Sequence, residues 1–230
     1  MDDRRRRRGE HEGHAVNAAV VRTGTANLAS VLAALRRVGV DPVETQDAGA
    51  VRDAPLVVLP GVGSFGAAME TLSAHAGLGE ALASRARSGR ALLAICLGFQ
   101  VLFESSEESP GVRGLGVLPG SVRRFAGAPG LRVPQMGWNT IEPAAACRSL
   151  AGGEVYFANS YRVGEGEWAA PAGWAPAWCA HGDRFVAGVE GAEGRVVACQ
   201  FHPELSGALG ASLLARWVAA NREATCSPSA

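Results

Sequence analysis

A chain of 230 residues, 47% hydrophobic and 19% charged, is long enough for one well-buried α/β domain and too short for two large ones. Its 22 basic and 22 acidic residues cancel, which gives no sign of a nucleic-acid or membrane surface, and no apolar run approaches the roughly 18 residues of a membrane span. The five cysteines form no C-x-x-C pair, so the composition favours a soluble, cytoplasmic protein and argues against structural zinc.

The two ends of the chain differ from its middle. An arginine run at residues 4–8 is followed by polar residues, where an export signal would need an apolar core. We therefore expect a disordered, arginine-rich tail over residues 1–14, one domain over residues 15–221, and a frayed tail over residues 222–230.

The first sixty residues alternate between strand and helix patterns. Residues 15–21 predict a strand, apolar residues at helical spacing over 28–38 predict a helix that ends at Gly39, and residues 40–44 and 56–59 predict two further strands. Strand, turn and helix in this order are typical of the opening of a parallel sheet.

A glycine-rich loop, Pro60-Gly61-Val62-Gly63, directly follows the third predicted strand. Glycines at alternate positions allow backbone N–H groups to approach a ligand closely, although a plain connecting loop has the same composition. Open α/β sheets bind ligands beyond the carboxyl ends of their strands, so its position favours a binding loop.

Cys96 lies between a buried strand at residues 91–95 and an apolar helical face. Ala94 and Gly98, two residues on either side, are small enough for a sharp strand-to-helix turn, which is the cysteine version of a nucleophile elbow. At a helix N-terminus the thiolate form is favoured. The alternative is a buried structural cysteine.

The rest of the chain completes the predicted architecture. Helices are predicted at residues 67–72, 78–86 and 208–220, a strand at 196–201, and antiparallel pieces between Pro and Gly turns over 115–161. The prediction is an α/β fold with an open, mostly parallel sheet flanked by helices and extended by antiparallel strands, as in flavodoxin-like folds.

The last predicted strand ends in His202-Pro203-Glu204. Residues i and i+2 of an extended segment share a face, so the carboxylate can orient the imidazole. Cys96 also follows a parallel strand and emerges at the same sheet edge, which predicts a Cys-His-Glu triad. A salt-bridged surface histidine is the alternative.

Five motifs occur in a fixed order: Pro60-Gly61-Val62-Gly63, Ile95-Cys96-Leu97-Gly98, Gln135-Met136-Gly137-Trp138-Asn139, Tyr156-Phe157 with Ser160-Tyr161, and Gln200-Phe201-His202-Pro203-Glu204. The set resembles the class I (triad) glutamine amidotransferases over about residues 16–220. Within that family it is most similar to the glutaminase subunits of imidazole glycerol phosphate synthase, which act in histidine biosynthesis.

The resemblance implies a mechanism and a set of site residues. Cys96 would attack the side-chain amide of glutamine, His202 would protonate the ammonia and then activate water, and Glu204 would hold the imidazole. The oxyanion donors implied are Val62, Gly63 and Leu97, and the glutamine-binding residues implied are Gln100, Glu108, Ser160 and Tyr161.

The resemblance also implies a partner, a (β/α)8 cyclase subunit that receives the ammonia and forms a heterodimer with this chain. Asn27 and Trp138 match interface positions, and no cofactor or metal is implied. The chain departs from the family at Arg22, Asn159 and Leu205, where acidic, histidine and basic residues are usual, and Ala94 replaces a glycine.

Three other functions stay open at this stage. The chain could serve a different class I synthase, although Gln135–Asn139 and Tyr156–Tyr161 favour the histidine pathway. It could be a non-catalytic scaffold subunit, or a cysteine hydrolase of the peptidase or chaperone type with the same elbow.

Overall fold

The computed structural model describes residues 16–24 and 28–226, apart from the side chains of 223–226. The first half of the chain contains β1 (Val16–Val21), α1 (Ala29–Arg37), β2 (Val40–Thr45), α2 (Ala48–Asp53), β3 (Leu56–Leu59), α3 (Phe65–Ala74), α4 (Leu78–Arg87), β4 (Leu92–Ile95) and α5 (Leu97–Gln100). The second half contains β5 (Ser105–Ser106), β6 (Ser121–Arg124), β7 (Gln135–Pro143), β8 (Gly153–Asn159), β9 (Tyr161–Arg162), β10 (Trp174–His181), β11 (Asp183–Gly191), β12 (Val196–Cys199) and α6 (Gly207–Cys226).

Nine strands form the main sheet in the order β2-β1-β3-β4-β12-β11-β10-β7-β8. The five strands from β2 to β12 are parallel, and the four from β11 to β8 continue the sheet antiparallel. A three-stranded sheet of β5, β6 and β9 lies apart from it. This architecture confirms the predicted α/β class with a parallel sheet and added antiparallel strands.

Apolar residues cover both faces of the parallel strands, because alternate side chains of a strand point to opposite sides. Leu93 of β4 packs in the core that contains α1 and α6, whereas its neighbour Leu92 packs in the core that contains α2, α3 and α4. The central strands β3, β4 and β12 are therefore fixed from both sides, and their carboxyl ends form a rigid edge.

A buried arginine contacts several loops at the end of the sheet opposite to the carboxyl ends of the parallel strands. Arg85 of α4 is 3% exposed, and its guanidinium donates to five backbone carbonyls, those of Val51, Arg52, Ala54, Pro55 and Ala91. Burial, followed by the nearby charge of Arg90, lowers the pKa of Arg85 to about 10. The side chain thus holds the end of α2 and the starts of β3 and β4 together.

Several elements differ from the sequence-based expectation. The helix after Cys96 is a single turn, and α6 continues to Cys226, six residues beyond the predicted end. The helix α2 and the hairpin of β10 and β11 were not predicted at all. Asn27 and the predicted tail over residues 1–14 lie outside the described residues. No helix in the described parts of the chain is long and apolar enough to cross a membrane.

Candidate active site

A pocket of about 460 Å³ opens at the carboxyl edge of the parallel strands. Three loops meet there because β3, β4 and β12 are neighbours and run in the same direction: the glycine-rich loop after β3, the turn at Cys96 after β4, and the segment of His202 after β12. The pocket is lined by Val62, Gly63, Cys96, Leu97, Gln100, Glu108, Tyr156, Ala158, Asn159, Ser160, Tyr161, His202 and Leu205.

Cys96 has a positive φ, with φ 53° and ψ −108°, between β4 and α5. Such a conformation is costly for a residue with a side chain and is held here by its surroundings. The Cys96 N–H donates to the carbonyl of Cys199 at 2.8 Å, and Gly98 lies directly against the carbonyl of Leu59. The turn therefore has the geometry of a nucleophile elbow and presents the sulfur to the pocket.

His202 faces the sulfur and is held from behind by Glu204. Its Nδ1 lies 2.8 Å from Oε1 of Glu204, and both side chains are more than 90% buried. Burial lowers the pKa of His202, but hydrogen bonds to Cys96 and Glu204 outweigh this effect and raise that pKa to about 10. The raised pKa favours the imidazolium form of His202, which supplies the counter-charge that a thiolate nucleophile needs.

The other cysteine side chains that the structure describes lie outside this pocket. Burial raises the pKa of Cys147 and of Cys179 to about 11 and that of Cys199 well above its usual range. A thiol that stays protonated is a poor nucleophile. Cys96 alone among these four therefore combines access to the pocket with a histidine partner.

A fully buried glutamine, which belongs to the last sequence motif but was not among the predicted site residues, also contacts the nucleophile. Gln200 follows β12, and its Nε2 lies 3.7 Å from the sulfur of Cys96. Gln100 of α5 donates from its own Nε2 to Gln200 Oε1 at 2.9 Å and to the carbonyl of Tyr161 at 3.1 Å. The sequence signal that could have identified Gln200 is a polar residue at the end of an otherwise apolar strand.

The three predicted oxyanion donors, Val62, Gly63 and Leu97, line the same pocket as Cys96, but the N–H of Leu97 already has a partner. The N–H of Leu97 donates to the carbonyl of Gly61 at 3.4 Å. Val62 and Gly63 line the pocket, and Gly63 has a φ of 102°. In this conformation the Leu97 N–H is directed at the loop carbonyl of Gly61 and is not free to meet another acceptor.

The four predicted glutamine-binding residues, Gln100, Glu108, Ser160 and Tyr161, are brought together on the pocket wall. Glu108 is fixed by the start of α3, where its Oε2 accepts from the Phe65 N–H at 2.6 Å. This contact satisfies a free backbone donor at the helix N-terminus and leaves the carboxylate facing the pocket.

Large apolar side chains are exposed on the wall of the pocket and on the neighbouring strand β7. Trp138 stacks edge-on against the ring of Tyr156, and it is 54% exposed. Met136, on the same face of β7, is 67% exposed, and Val62 and Leu205 at the pocket wall are also exposed.

Among the described residues, no group of three or more His, Cys, Asp and Glu could hold a metal ion.

Comparison with known proteins places this geometry in context. A family model described as glutamine amidotransferase class-I matches residues 20–220. The chain is 41% identical over 207 residues to the imidazole glycerol phosphate synthase subunit HisH of Thermus thermophilus, with 87% of this chain and 96% of that protein covered. It is 44% identical over 200 residues to the subunit of the same name from Xylella fastidiosa, with 85% and 94% covered.

A longer plant protein and two solved structures are also similar. The chain is 38% identical over 208 residues to the chloroplastic imidazole glycerol phosphate synthase hisHF of Arabidopsis thaliana, covering 89% of this chain but only 34% of that protein. A crystal structure of a glutamine amidotransferase matches with a TM-score of 0.67 at 20% identity, covering 89% of this chain and 98% of the other. The structure of PurLQS from Thermotoga maritima matches with a TM-score of 0.63 at 18% identity, covering 90% and 99%. At these identities the two structures show the fold alone.

Proposed function

The chain belongs to the class I glutamine amidotransferase family, and on that premise we propose that it is the glutaminase subunit of an imidazole glycerol phosphate synthase. In this role it hydrolyses glutamine to glutamate and ammonia, and a cyclase subunit consumes the ammonia. The observation that carries the proposal is the meeting of Cys96, His202 and Glu204 at a pocket whose wall presents the residues expected to hold glutamine.

The reaction follows from the arrangement of the triad. The Cys96 thiolate attacks the side-chain carbonyl carbon of glutamine, and the electron pair of the carbonyl moves to its oxygen. The tetrahedral intermediate collapses, the C–N bond breaks, and the imidazolium of His202 gives its proton to the departing nitrogen, which leaves as ammonia. His202 then takes a proton from water, which attacks the thioester and releases glutamate, while Glu204 keeps the ring oriented through Nδ1.

The glycine-rich loop provides the electrostatic part of catalysis after one local movement. The carbonyl of Gly61 and the N–H of Val62 belong to the same peptide unit. Rotation of that unit releases the Leu97 N–H from the Gly61 carbonyl and turns the Val62 N–H toward the pocket. Each donor that then meets the oxyanion contributes about 2.7–4 kcal/mol, the cost measured when one such donor is removed.

The apolar residues around the pocket mouth form the docking surface for the cyclase subunit. Val62 and Leu205 are exposed on the pocket wall, and Trp138 and Met136 are exposed on β7, opposite the wall residues Tyr156 and Ala158 of β8. Large aromatic and methionine side chains are enriched in the buried cores of protein interfaces. The Arabidopsis relative has the combined name hisHF. It is roughly three times as long as this chain, so most of that protein lies outside the matched region.

The test is glutamate release from glutamine, measured with and without the cyclase and its ribotide ligand. We expect the ligand-bound cyclase to raise the rate of glutamate release. We expect Cys96→Ala and His202→Ala each to lower the rate of glutamine hydrolysis at least a thousandfold. Both variants keep the synthase reaction when ammonia is supplied directly, because that reaction does not use the triad.

Cys147→Ala, at a half-buried cysteine outside the pocket, is the matched control and keeps wild-type turnover. A rate of glutamate release that is the same with and without the cyclase would contradict the assigned partner. Absence of turnover under every condition would refute glutaminase activity and favour a scaffold role.

A further inference from the structure

Gln200 is a buried amide that the triad mechanism does not use. Its side chain is inaccessible to solvent, and its backbone N–H donates to the carbonyl of Ala187 at 2.8 Å, which fixes the residue between β4 and β11. Burying an amide is costly unless its polar atoms find partners. Both polar atoms of this side chain have one: Gln100 at Oε1 and the sulfur of Cys96 at Nε2.

The orientation of the Gln200 side-chain amide is determined by the backbone carbonyl of Tyr161, which acts through the side chain of Gln100. The carbonyl of Tyr161 can only accept, so the Gln100 atom facing it is the Nε2 donor. That same nitrogen faces Gln200, so the Gln200 atom beside it is the acceptor Oε1. The Nε2 of Gln200 is then left on the side of the sulfur, and an N–H rather than a lone pair is directed at Cys96.

We propose that Gln200 is a positioning residue that holds the Cys96 sulfur as a thiolate, through an N–H whose direction is set by Gln100 and the Tyr161 carbonyl. The inference rests on the proposed glutaminase function and adds a second contact to the sulfur besides His202. Hydrogen bonds to a charged group are stronger than those to a neutral one, so the contact favours the anion over the thiol.

The arrangement also connects the glutamine pocket to the nucleophile. Gln100 lines the pocket and is within hydrogen-bonding distance of both Gln200 and the Tyr161 carbonyl. A substrate that contacts Gln100 therefore meets the same side chain that orients the donor to the sulfur. Substrate binding and thiolate positioning share one side chain.

The experiment measures the pH dependence of Cys96 alkylation by iodoacetamide in the full chain, with peptide mass spectrometry reporting on Cys96 alone. Gln200→Met keeps the size of the side chain and removes the donor. We expect the midpoint of the alkylation profile to move to higher pH by about one unit and kcat for glutamine in the cyclase complex to fall about tenfold, which is the scale of one hydrogen bond to a charged group. Gln200→Glu places an acceptor beside the sulfur and has a larger effect on both readouts.

Two further variants separate positioning from packing. Gln135→Met makes the same substitution at another buried glutamine, on β7, whose amide contacts Cys179 rather than Cys96, and we expect it to leave the alkylation midpoint of Cys96 unchanged. Gln100→Met removes the donor that orients Gln200, and without substrate present it moves the midpoint in the same direction as Gln200→Met. Thermal unfolding of each variant reports its folding.

An unchanged alkylation midpoint in a folded Gln200→Met protein overturns the proposal, as does an equal shift in Gln135→Met. The alkylation assay contains no glutamine, so its result is independent of the glutaminase assignment. If the wild-type protein lacks turnover with the cyclase while the midpoint still moves in Gln200→Met, the proposed function fails and the positioning role stands.

Discussion

Replacing Gly98 by alanine tests the packing that creates the elbow. A Cβ at this position would lie 1.9 Å from the carbonyl oxygen of Leu59 and 2.9 Å from its carbon. Ordinary contact begins at 3.4 Å, so the backbones of α5 and β3 must separate by about 1.5 Å. The obstacle is main chain at the end of a buried strand, and no side-chain rotation relieves it.

The magnitude follows from two effects of this displacement. Overpacking in a well-packed core costs about 1–3 kcal/mol, and a main-chain collision belongs at the upper end of that range. For a chain of this size, about 3 kcal/mol corresponds to a fall in Tm of roughly 6–12 °C. A movement of about 1 Å at a reacting atom costs about a hundredfold in rate, and here the Cys96 sulfur moves with the turn.

Differential scanning calorimetry and the glutaminase assay together measure both effects for Gly98→Ala. Gly127→Ala is the matched control, because a Cβ at Gly127 meets nothing within 4 Å and the change leaves both readouts at wild-type values. If Gly98→Ala keeps the wild-type Tm and kcat, the close approach of the elbow to β3 does not hold the nucleophile in place.

Two other predictions concern charge. Burial lowers the pKa of His202, but hydrogen bonds to Cys96 and Glu204 raise it to about 10. Between pH 6.5 and 10 the imidazole is therefore protonated in the folded protein and not in the unfolded chain, so the contribution of His202 to urea-unfolding stability is lost as the pH rises through that window. Glu204→Gln flattens this decline and lowers kcat, and a slope identical to that of the wild type contradicts the assignment. Arg85→Met leaves five carbonyls without their donor and destabilises the protein by about 3 kcal/mol, whereas Arg37→Met, at an exposed position of α1, changes stability by about 0.5 kcal/mol or less in the same urea titration.

The location of the site was predictable from the sequence because its signals are local. Cys96 between small residues and His202 two positions before Glu204 each follow an apolar run, and parallel strands bring their ends to one edge. The same periodicity argument gave the parallel strands β1 to β4 and the helix α1.

The contacts that depend on distant neighbours were not predictable in this way. The pattern of β10 contains alanine, proline and cysteine next to tryptophan, so it lacks a clear alternation, and β11 is buried on both faces. The direction of the Gln200 amide depends on Gln100 and the Tyr161 carbonyl, which meet it only in the folded chain. The occupied Leu97 N–H is likewise a property of the loop conformation, and no residue pattern encodes it.

The position of β12 has a consequence for how the protein is made. This strand lies between β4 and β11, so the central gap of the sheet is filled only after almost the whole chain has left the ribosome. Until then β4 and β11 each present an open edge, which invites pairing with other chains. Cys96 follows β4, whereas His202 follows β12, so a nascent or truncated chain without β12 has the nucleophile but lacks its histidine partner. Insertion of β12 therefore completes the sheet and brings His202 to Cys96 in the same folding step.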